Sequence, residues 1–307
     1  MYNKEPVIVN GFGRGGTNIL MNLLLSHKHL AAPSGELNKV IKGGARGENK
    51  GKKWFKKLIY EYPIKLRTKQ DLFDRLSLDS RYVPSESILR YIDWILYREK
   101  LKALHESKNL WKSPELYYTK KELKQARLTF KAHNGLIFLN DMFREMYPDA
   151  KFICIVRNGL SVIEGQMRRG RPLTEMANLY NEVGKLMLKN SNNEDYLIVR
   201  FEDIIEKPLK MINQIFEHCG LDISDCEHFR LQHKSLVGKN GKTKFKGAYD
   251  RQLVWYTKNE LENHFDTSVN KNQLNRLHEE DLKKIKDIVG DTLLKLGYSY
   301  SELKISD

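Results

Sequence analysis

Short apolar runs alternate with segments of helical spacing along most of the chain. Residues 7–9 are β-branched and lead into an Asn-Gly turn, while residues 151–156 carry an unbroken apolar run, as in a strand that is covered on both faces. Segments 17–26 and 172–189 repeat apolar residues at the spacing of an amphipathic helix. Strands that alternate with helices predict an α/β fold built on a parallel sheet with right-handed crossovers.

Further elements follow from the same patterning. Strands are predicted at 127–131 and 196–199, and helices at 87–101, from about residue 160, at 208–219 and at 279–296.

The stretch 40–126 differs in character from the rest of the chain. It is rich in Lys and Tyr and contains Pro63, Pro84 and Pro114, and its clearest element is the helix at 87–101. We interpret this stretch as an inserted helical region or lid, and not as a βαβ unit of the core.

Composition narrows the class of protein. The 307 residues include 53 Lys and Arg against 39 Asp and Glu, a formal net charge of +14, and 40% of the residues are apolar. This mixture is too apolar for a disordered chain and has too little Gly and Pro for a fibrous one. Cys154, Cys219 and Cys226 have no C-x-x-C spacing. With no apolar run of about 18 residues and no apolar N-terminal stretch, we expect a reduced, cytoplasmic protein without a membrane span.

The positive charge by itself does not identify a partner. A basic chain suits nucleic acid, an anionic membrane surface and a small anionic ligand equally well. Much of the excess falls between Lys39 and Arg67, and lysine-rich helical stretches are most often solvated faces. The sequence has no ribonucleoprotein motif and no zinc-ligand spacing, so a nucleic-acid-binding role ranks low and no metal site is expected.

The segment from Gly11 to Asn18, GFGRGGTN, is the most informative part of the sequence. Its glycines let the backbone turn with the amide groups facing inward, and the N-terminus of the next helix adds partial positive charge, so the segment can cradle an anion. Gly11 and Gly16 have the spacing of a Walker A loop, but Thr17 stands where the lysine of that loop would be. Without that lysine, and without a clear acidic Mg²⁺ ligand, a kinase is disfavoured. A plain structural turn is the other alternative.

The strand and the sequence G-R-G-G-T-N resemble the 5′-phosphosulfate loop of the sulfotransferases, whose usual form is P-[RK]-S-G-T-[TS]. Arg14, Gly16 and Thr17 match this pattern. Gly15 and Asn18 replace its two other hydroxyl residues. The resemblance implies that these five residues hold the phosphosulfate group, with backbone amides in place of the missing hydroxyls.

A second segment, residues 147–159, reads YPDAKFICIVRNG and is similar to F-P-x-A-K-F-I-x-x-x-R-[DN]-[PG] of the same family. In that pattern the arginine at the end of the strand grips the 3′-phosphate of the donor, and here it is Arg157. A guanidinium suits this task because its forked donors match two phosphate oxygens at once. The family usually has a serine eight residues later, where this chain has Gly165, and Ser161 lies about one helical turn earlier. The resemblance assigns Arg157 and Gly165 to the donor site.

Two further segments resemble the family. Residues 196–203, YLIVRFED, are similar to L-x-V-R-Y-E-D, a strand of mostly structural role. The basic stretch 233–242 is a looser match to a late loop that closes over the donor in bacterial members, which implies donor contacts from Lys239 and Lys242. A solvated basic loop is the alternative for this stretch.

The resemblance covers residues 6–36 and about 127–299, and it is nearest to the bacterial and tyrosylprotein-like members. It implies a sulfotransferase that uses 3′-phosphoadenosine 5′-phosphosulfate (PAPS) as co-substrate, without a metal. A sulfuryl group would pass by in-line displacement to an acceptor hydroxyl of a glycan or another small or peptidic compound. A member that binds the donor without catalysis is the alternative.

The domain organisation expected from this resemblance is a single sulfotransferase domain over residues 1–307. It would comprise the phosphosulfate loop and first helix in 5–36, a helical acceptor-side insertion in 40–126, and the rest of a P-loop-type parallel sheet with C-terminal helices in 127–307.

The resemblance also implies which side chains would act in the reaction. Charge builds on the oxygen that leaves the sulfur, so cations aimed at this oxygen stabilise the transition state. Arg14 is the first candidate and Lys131 the second, because the family often has a lysine where this strand ends.

Two residues compete for the role of general base. Glu36 lies in a Gly-Glu setting similar to that of the catalytic glutamate of tyrosylprotein and some bacterial sugar sulfotransferases. His133 resembles the histidine of the K-x-H sequence in cytosolic small-molecule sulfotransferases. The closer overall match to the first group favours Glu36, whereas an imidazole titrates near neutrality and needs no tuning of its pKa.

Overall fold

A five-stranded parallel sheet forms the centre of the protein in the computed structural model, which describes residues 1–42, 50–68, 83–102, 118–234, 251–299 and 301–302. Its strands are β1 Val7–Gly11, β2 Leu30–Ala31, β3 Arg127–His133, β4 Lys151–Val156 and β5 Tyr196–Arg200. Their order is β2-β3-β1-β4-β5, and all neighbours run parallel. The α/β class and the parallel sheet predicted from the sequence are therefore confirmed.

Helices flank the sheet on both faces. Their bounds are α1 Thr17–Leu24, α2 Leu37–Ile41, α3 Lys50–Thr68, α4 Glu86–Lys102, α5 Lys120–Gln125, α6 Asn140–Met146, α7 Gly159–Met167, α8 Leu173–Asn190, α9 Phe201–Glu206, α10 Pro208–His218, α11 Lys258–Glu262, α12 Val269–Leu274 and α13 Glu279–Lys295. Short 3₁₀ helices occupy Asn134–Leu139 and Ile223–Asp225.

The central strand β1 is buried on both sides. Successive side chains of a strand point to opposite faces of the sheet. Val7 and Val9 accordingly pack with α1 and α10, whereas Ile8 packs with the cluster formed by α6, α7, α8 and α13. All three side chains are fully buried. The end of β1, where the glycine-rich loop begins, is thus fixed by packing from both faces.

The described part of the 40–126 stretch is mostly helical and contains α3, α4 and α5. Helix α3 contains Pro63, whose nitrogen carries no hydrogen and so cannot donate to the carbonyl of Ile59 one turn earlier. The hydroxyl of Tyr91 on α4 donates to that carbonyl instead. The proline is therefore accommodated because α4 supplies the hydrogen bond that α3 lacks.

Three strands were not predicted from the sequence. β2 has only two residues, too few to give a periodic signal. β6 His228–Lys234 and β7 Arg251–Thr257 form a separate antiparallel pair.

Among the described residues, no helix combines the length and the apolar character that crossing a membrane requires.

Candidate active site

The loop between β1 and α1 turns with two residues in the left-handed backbone region. Arg14 has a φ of 79° and Gly16, which caps α1, has a φ of 93°. The Gly15 amide donates to Phe12 O at 2.8 Å and closes the turn. A Cβ on Gly16 would lie 2.5 Å from Cδ2 of Phe201, so both the backbone and the packing require glycine there. The loop delivers the N-terminus of α1, with Thr17 and Asn18 in its first turn, to the end of the sheet.

Arg157 follows strand β4, the immediate neighbour of β1, and its guanidinium is nearly buried. Its Nη1 donates to Arg14 O at 2.9 Å. Its Nε donates to Asn270 Oδ1 at 2.8 Å, and its Nη2 donates to Gln273 Oε1. The guanidinium also lies over the ring of Phe201, 4.5 Å from its centroid. These contacts fix the orientation of the Arg157 guanidinium beside the loop.

Burial lowers the pKa of Arg157 to about 10; the carboxylate of Glu202 opposes this change and the charge of Arg14 adds to it. Arg157 therefore stays charged at neutral pH. Because the charge of Arg14 lowers the pKa of Arg157, the two guanidinium groups lie close enough to act on the same region of the site. This arrangement suits a ligand with several negative charges.

A second layer of side chains orients the partners of Arg157. Glu202 on α9 accepts a hydrogen bond from the Asn158 amide at 3.0 Å, another from the Asn270 side chain, and a third from the Tyr298 hydroxyl at 2.9 Å. Glu202 belongs to the RFED sequence, whose role was predicted to be mostly structural. Its carboxylate sets the position of Asn270, and through it that of Arg157.

Gly165 lies in α7, directly beside the loop. A Cβ on Gly165 would lie 3.4 Å from Cγ of Arg14 and 3.4 Å from Nε2 of Gln273, which are ordinary contacts. Ser161, one turn earlier, is fully buried, and its Oγ lies 3.5 Å from Asn270 O. The structure thus places Gly165 against the Arg14 side chain, whereas the Ser161 hydroxyl faces the carbonyl of Asn270.

A second charged group lies on the other side of the loop, where strand β3 ends. Lys131 is nearly buried; its Nζ donates to Asn18 Oδ1 at 2.6 Å and lies 3.0 Å from Glu36 Oε1. Lys39 holds the second carboxylate oxygen of Glu36 at 2.8 Å. Burial alone would raise the pKa of Glu36, but the charges of Lys131 and Lys39 outweigh it and hold that pKa well below its usual range. In this arrangement Glu36 is an ion-pair partner with low affinity for a proton.

His133 lies two residues after Lys131, so both side chains point to the same face of the sheet. The ring is partly exposed, but its Nδ1 atom is enclosed and has no hydrogen-bond partner among the residues that the structure describes. Burial, with the charge of Lys131 as the next cause, lowers the pKa of His133 to about 4. The imidazole is therefore neutral at pH 7 and carries a lone pair that could accept a proton.

Gly13 joins the two sides of the site. Its amide donates to Asn134 Oδ1 at 2.6 Å, next to His133, and its carbonyl accepts from Gln166 Nε2 at 2.8 Å, next to Gly165. The loop, the 3₁₀ helix that follows β3, and α7 are therefore held together by the backbone of one residue. The result is a short arc of cations around the N-terminus of α1, with a carboxylate and a neutral imidazole at one end.

Comparison with known proteins gives this arrangement its context. The model of the sulfotransferase family matches residues 6–225, most of the chain. The chain belongs to the sulfotransferase family. No curated protein sequence gives a significant match.

Several solved sulfotransferases align with the chain over nearly its full length. The sulfotransferase domain of the Synechococcus PCC 7002 olefin synthase is 16% identical, with 96% of each chain covered and a TM-score of 0.49. The sulfotransferase domain from the curacin biosynthetic pathway is 17% identical, covers 94% of this chain and 98% of that one, and gives 0.48. A mouse sulfotransferase complexed with PAP is 13% identical, covers 98% of this chain and 87% of that one, and gives 0.46.

The structure brings most of the predicted site residues of this sulfotransferase into one region. Arg14 to Asn18, Arg157 and Gly165 lie around the loop, and Lys131, Glu36 and His133 lie beside it. Lys239 and Lys242 lie outside the described residues.

Sequence reasoning missed several residues that surround the predicted site residues of this sulfotransferase. They are Lys39, Asn134, Gln166, Glu202, Asn270 and Gln273. Asn134 and Gln166 directly follow predicted residues, so the neighbouring motif was a usable signal for them. Asn270 and Gln273 come from α12, outside every motif, and no local pattern marks them.

One other group among the described residues has the composition of a metal site. His27, His29 and Asp225 bring their ligand atoms close together beyond the C-terminal end of α1. Nδ1 of His27 accepts the His29 amide at 3.2 Å, and Nε2 lies 3.2 Å from Asp222 O. The nitrogen of His27 near Asp225 is Nε2, at 3.6 Å, so a metal there would require Nδ1 to donate, whereas Nδ1 accepts the His29 amide. This group therefore lacks the surroundings of a metal site.

Proposed function

We propose that this sulfotransferase uses PAPS as donor and transfers its sulfuryl group to a hydroxyl of a glycan or another small or peptidic acceptor. The observation that best supports the proposal is the hydrogen bond from Arg157 Nη1 to the carbonyl of Arg14. This hydrogen bond joins the two motifs that are expected to bind opposite ends of one bisphosphorylated nucleotide. Separate crevices for the two arginines would have contradicted that expectation.

The residues around the loop suit such a donor chemically. Arg14, Lys131 and Arg157 are cations, and the first amides of α1 are hydrogen-bond donors with no acceptor inside the helix. Asn18 adds a side-chain amide. A site of this composition favours phosphate and sulfate groups over neutral ligands.

The cations of the site would also supply catalysis. In the implied reaction, the bond from sulfur to the bridging phosphate oxygen breaks while the acceptor oxygen bonds to sulfur. Arg14 and Lys131 stabilise the charge that develops on the bridging oxygen, and loss of one such group typically lowers the rate by about 10²–10³-fold. Asn18 and Glu36 orient Lys131 through two short contacts.

We assign the general base to His133 and the positioning of Lys131 to Glu36. The sequence resemblance favours Glu36 as base, but a carboxylate that two lysines hold ionised has little affinity for the acceptor proton. His133 is neutral at pH 7, and its ring is partly exposed on the same face of the sheet as Lys131. Negative charge in the donor site would raise the pKa of His133 towards neutrality and make it a better base.

Donor binding is tested by isothermal titration calorimetry with PAP, the desulfonated product, against ATP with Mg²⁺. We expect micromolar binding of PAP and about a hundredfold weaker binding by Arg157→Ala, because several charge-assisted hydrogen bonds are lost. Arg169→Ala, an exposed arginine just beyond α7, is the matched control and should bind as the wild type does. Binding of ATP with Mg²⁺ but not of PAP would identify a kinase instead.

Transfer is tested with sulfur-labelled PAPS and pooled glycans, peptides and phenols. His133→Gln should lower kcat by about 10²–10⁴-fold and leave PAP affinity unchanged, as expected for loss of a base. Glu36→Gln should lower kcat less. Full activity of His133→Gln together with an inactive Glu36→Gln would reverse the assignment, and PAP binding without any transfer would identify a non-catalytic member.

A further inference from the structure

Helix α3 carries two apolar stripes on opposite sides. Tyr60 and Ile64, with the stem of Lys56, form the inner stripe, and all three are less than 8% exposed. The outer stripe repeats every fourth residue and includes one neighbour. Its members are Trp54 (61% exposed), Phe55 (58%), Leu58 (40%), Tyr62 (46%) and Leu66 (79%).

The outer stripe is unusual for a surface helix. Such helices normally present polar residues on the side away from the core. Of the eight large apolar side chains that are exposed in the described part of the chain, five belong to this one stripe. A contiguous patch of this kind is a feature of interaction surfaces.

The outer stripe is not needed to hold α3 in place, because the inner side makes the attachments. Lys56 Nζ lies 3.7 Å from Glu99 Oε2 of α4, and the Tyr60 hydroxyl donates to Glu99 Oε1 at 2.7 Å. The bond from Tyr91 to Ile59 O joins the same two helices. The exposed aromatic and aliphatic side chains are therefore available to a partner without disturbing the fold.

The charge of α3 indicates the kind of partner. The helix contains seven Lys or Arg residues and one Glu, and Lys57 is among its exposed residues. A basic helix of this kind attracts an anionic partner. A second copy of this helix would bring like charges together, and nucleic acid offers no apolar surface for Leu58 and Leu66. An anionic lipid surface accepts both the basic residues and the apolar stripe.

We propose that α3 lies in the interface of an anionic membrane, with Trp54, Leu58 and Leu66 among the acyl chains and the neighbouring basic residues at the lipid headgroups. This inference is independent of the donor and of the transfer reaction, because it depends only on the surface of α3.

The test is co-sedimentation of the full chain with vesicles of phosphatidylcholine, with and without phosphatidylglycerol. We expect binding to the anionic vesicles that weakens with added salt. The double variant Leu58→Ser/Leu66→Ser should bind at least tenfold more weakly. Lys57→Gln should bind about fivefold more weakly, since a basic residue near such a surface contributes about that much. Lys283→Gln, at an exposed position of α13, is the charge-matched control and should bind normally.

Tryptophan fluorescence adds a readout at the stripe itself. Anionic vesicles should shift the emission to shorter wavelengths, and Trp54→Phe should lose this shift while it still sediments. The proposal is overturned if anionic vesicles do not bind at low salt, or if Leu58→Ser/Leu66→Ser binds as well as the wild type. It is also overturned if the wild type is a dimer that this double variant dissociates, because the stripe would then be an interface between two copies.

Discussion

Gly165 shows how one residue can set the chemistry next to the glycine-rich loop. The family pattern has a serine at this position, and the structure places the glycine against the Arg14 side chain and Gln273. The space beside Gly165 accommodates a Cβ at ordinary contact distances. Packing therefore does not require a glycine at position 165, and a residue with a hydroxyl would fit there.

We predict that Gly165→Ser binds PAP about tenfold more tightly, because its hydroxyl adds one hydrogen bond to a charged group. Gly165→Ala is the matched control: it should leave PAP affinity unchanged and raise the free energy of unfolding by about 0.5–1 kcal/mol, since glycine is costly inside a helix. Calorimetry and urea denaturation measure the two effects. Equal affinity of the two variants would mean that position 165 does not face the donor.

The site residues that could be predicted from the sequence are those that belong to a local motif. Arg14, Lys131 and Arg157 each end or follow a strand that could be recognised from its apolar run. Asn270 and Gln273 could not be predicted in this way, because they meet Arg157 across 113 and 116 positions of the chain. The protonation states of Glu36 and His133 also depend on distances to lysines, which a sequence does not give.

At the scale of elements, the predicted strands and helices agree with the structure where periodicity is strong. The strand at 151–156 and the helix at 279–296 are found within one residue of their predicted bounds. Proline usually ends or kinks a helix, and no helix bounds were predicted around Pro63, yet α3 continues through it. The hydroxyl of Tyr91 explains the difference, and such a partner from another helix is invisible to local propensity.

We predict that Tyr91→Phe lowers the free energy of unfolding by about 1–3 kcal/mol, because the carbonyl of Ile59 is then left without its donor. Tyr62→Phe removes a hydroxyl from the exposed side of the same helix and should change stability by less than about 0.5 kcal/mol. Urea denaturation followed by circular dichroism measures both. Equal stability of the two variants would show that Pro63 is accommodated in another way.

At the scale of the whole molecule, several folded-state pKa values lie below those of the unfolded chain. The pKa of His133 falls from 6.5 to about 4, and burial also lowers that of His27. The pKa values of Glu36 and Glu99 are lowered although burial opposes the change, because lysines lie close to both. Each group binds fewer protons in the folded state than in the unfolded state. Its stabilising contribution is therefore present above the unfolded pKa and is lost as the pH falls towards the folded one.

We predict that the free energy of unfolding falls as the pH decreases from about 6.5 to 4, where the histidines act, and falls further below about 4.5, where the carboxylates act. His133→Gln should reduce the decrease in the free energy of unfolding between about pH 6.5 and 4 by up to about 3 kcal/mol, at about 1.4 kcal/mol per pKa unit. His278→Gln, at an exposed histidine, should not change it. Urea denaturation at several pH values measures the loss, and an identical pH dependence of wild type and His133→Gln would contradict the prediction.

The place of α12 in the chain bears on how the protein is made. Asn270 and Gln273, which orient the Arg157 fork, are synthesised long after the loop and β4 and beyond the end of the family match at residue 225. A nascent chain on the ribosome can therefore build the central sheet early. The hydrogen bonds that orient Arg157 form only when the last part of the polypeptide has emerged.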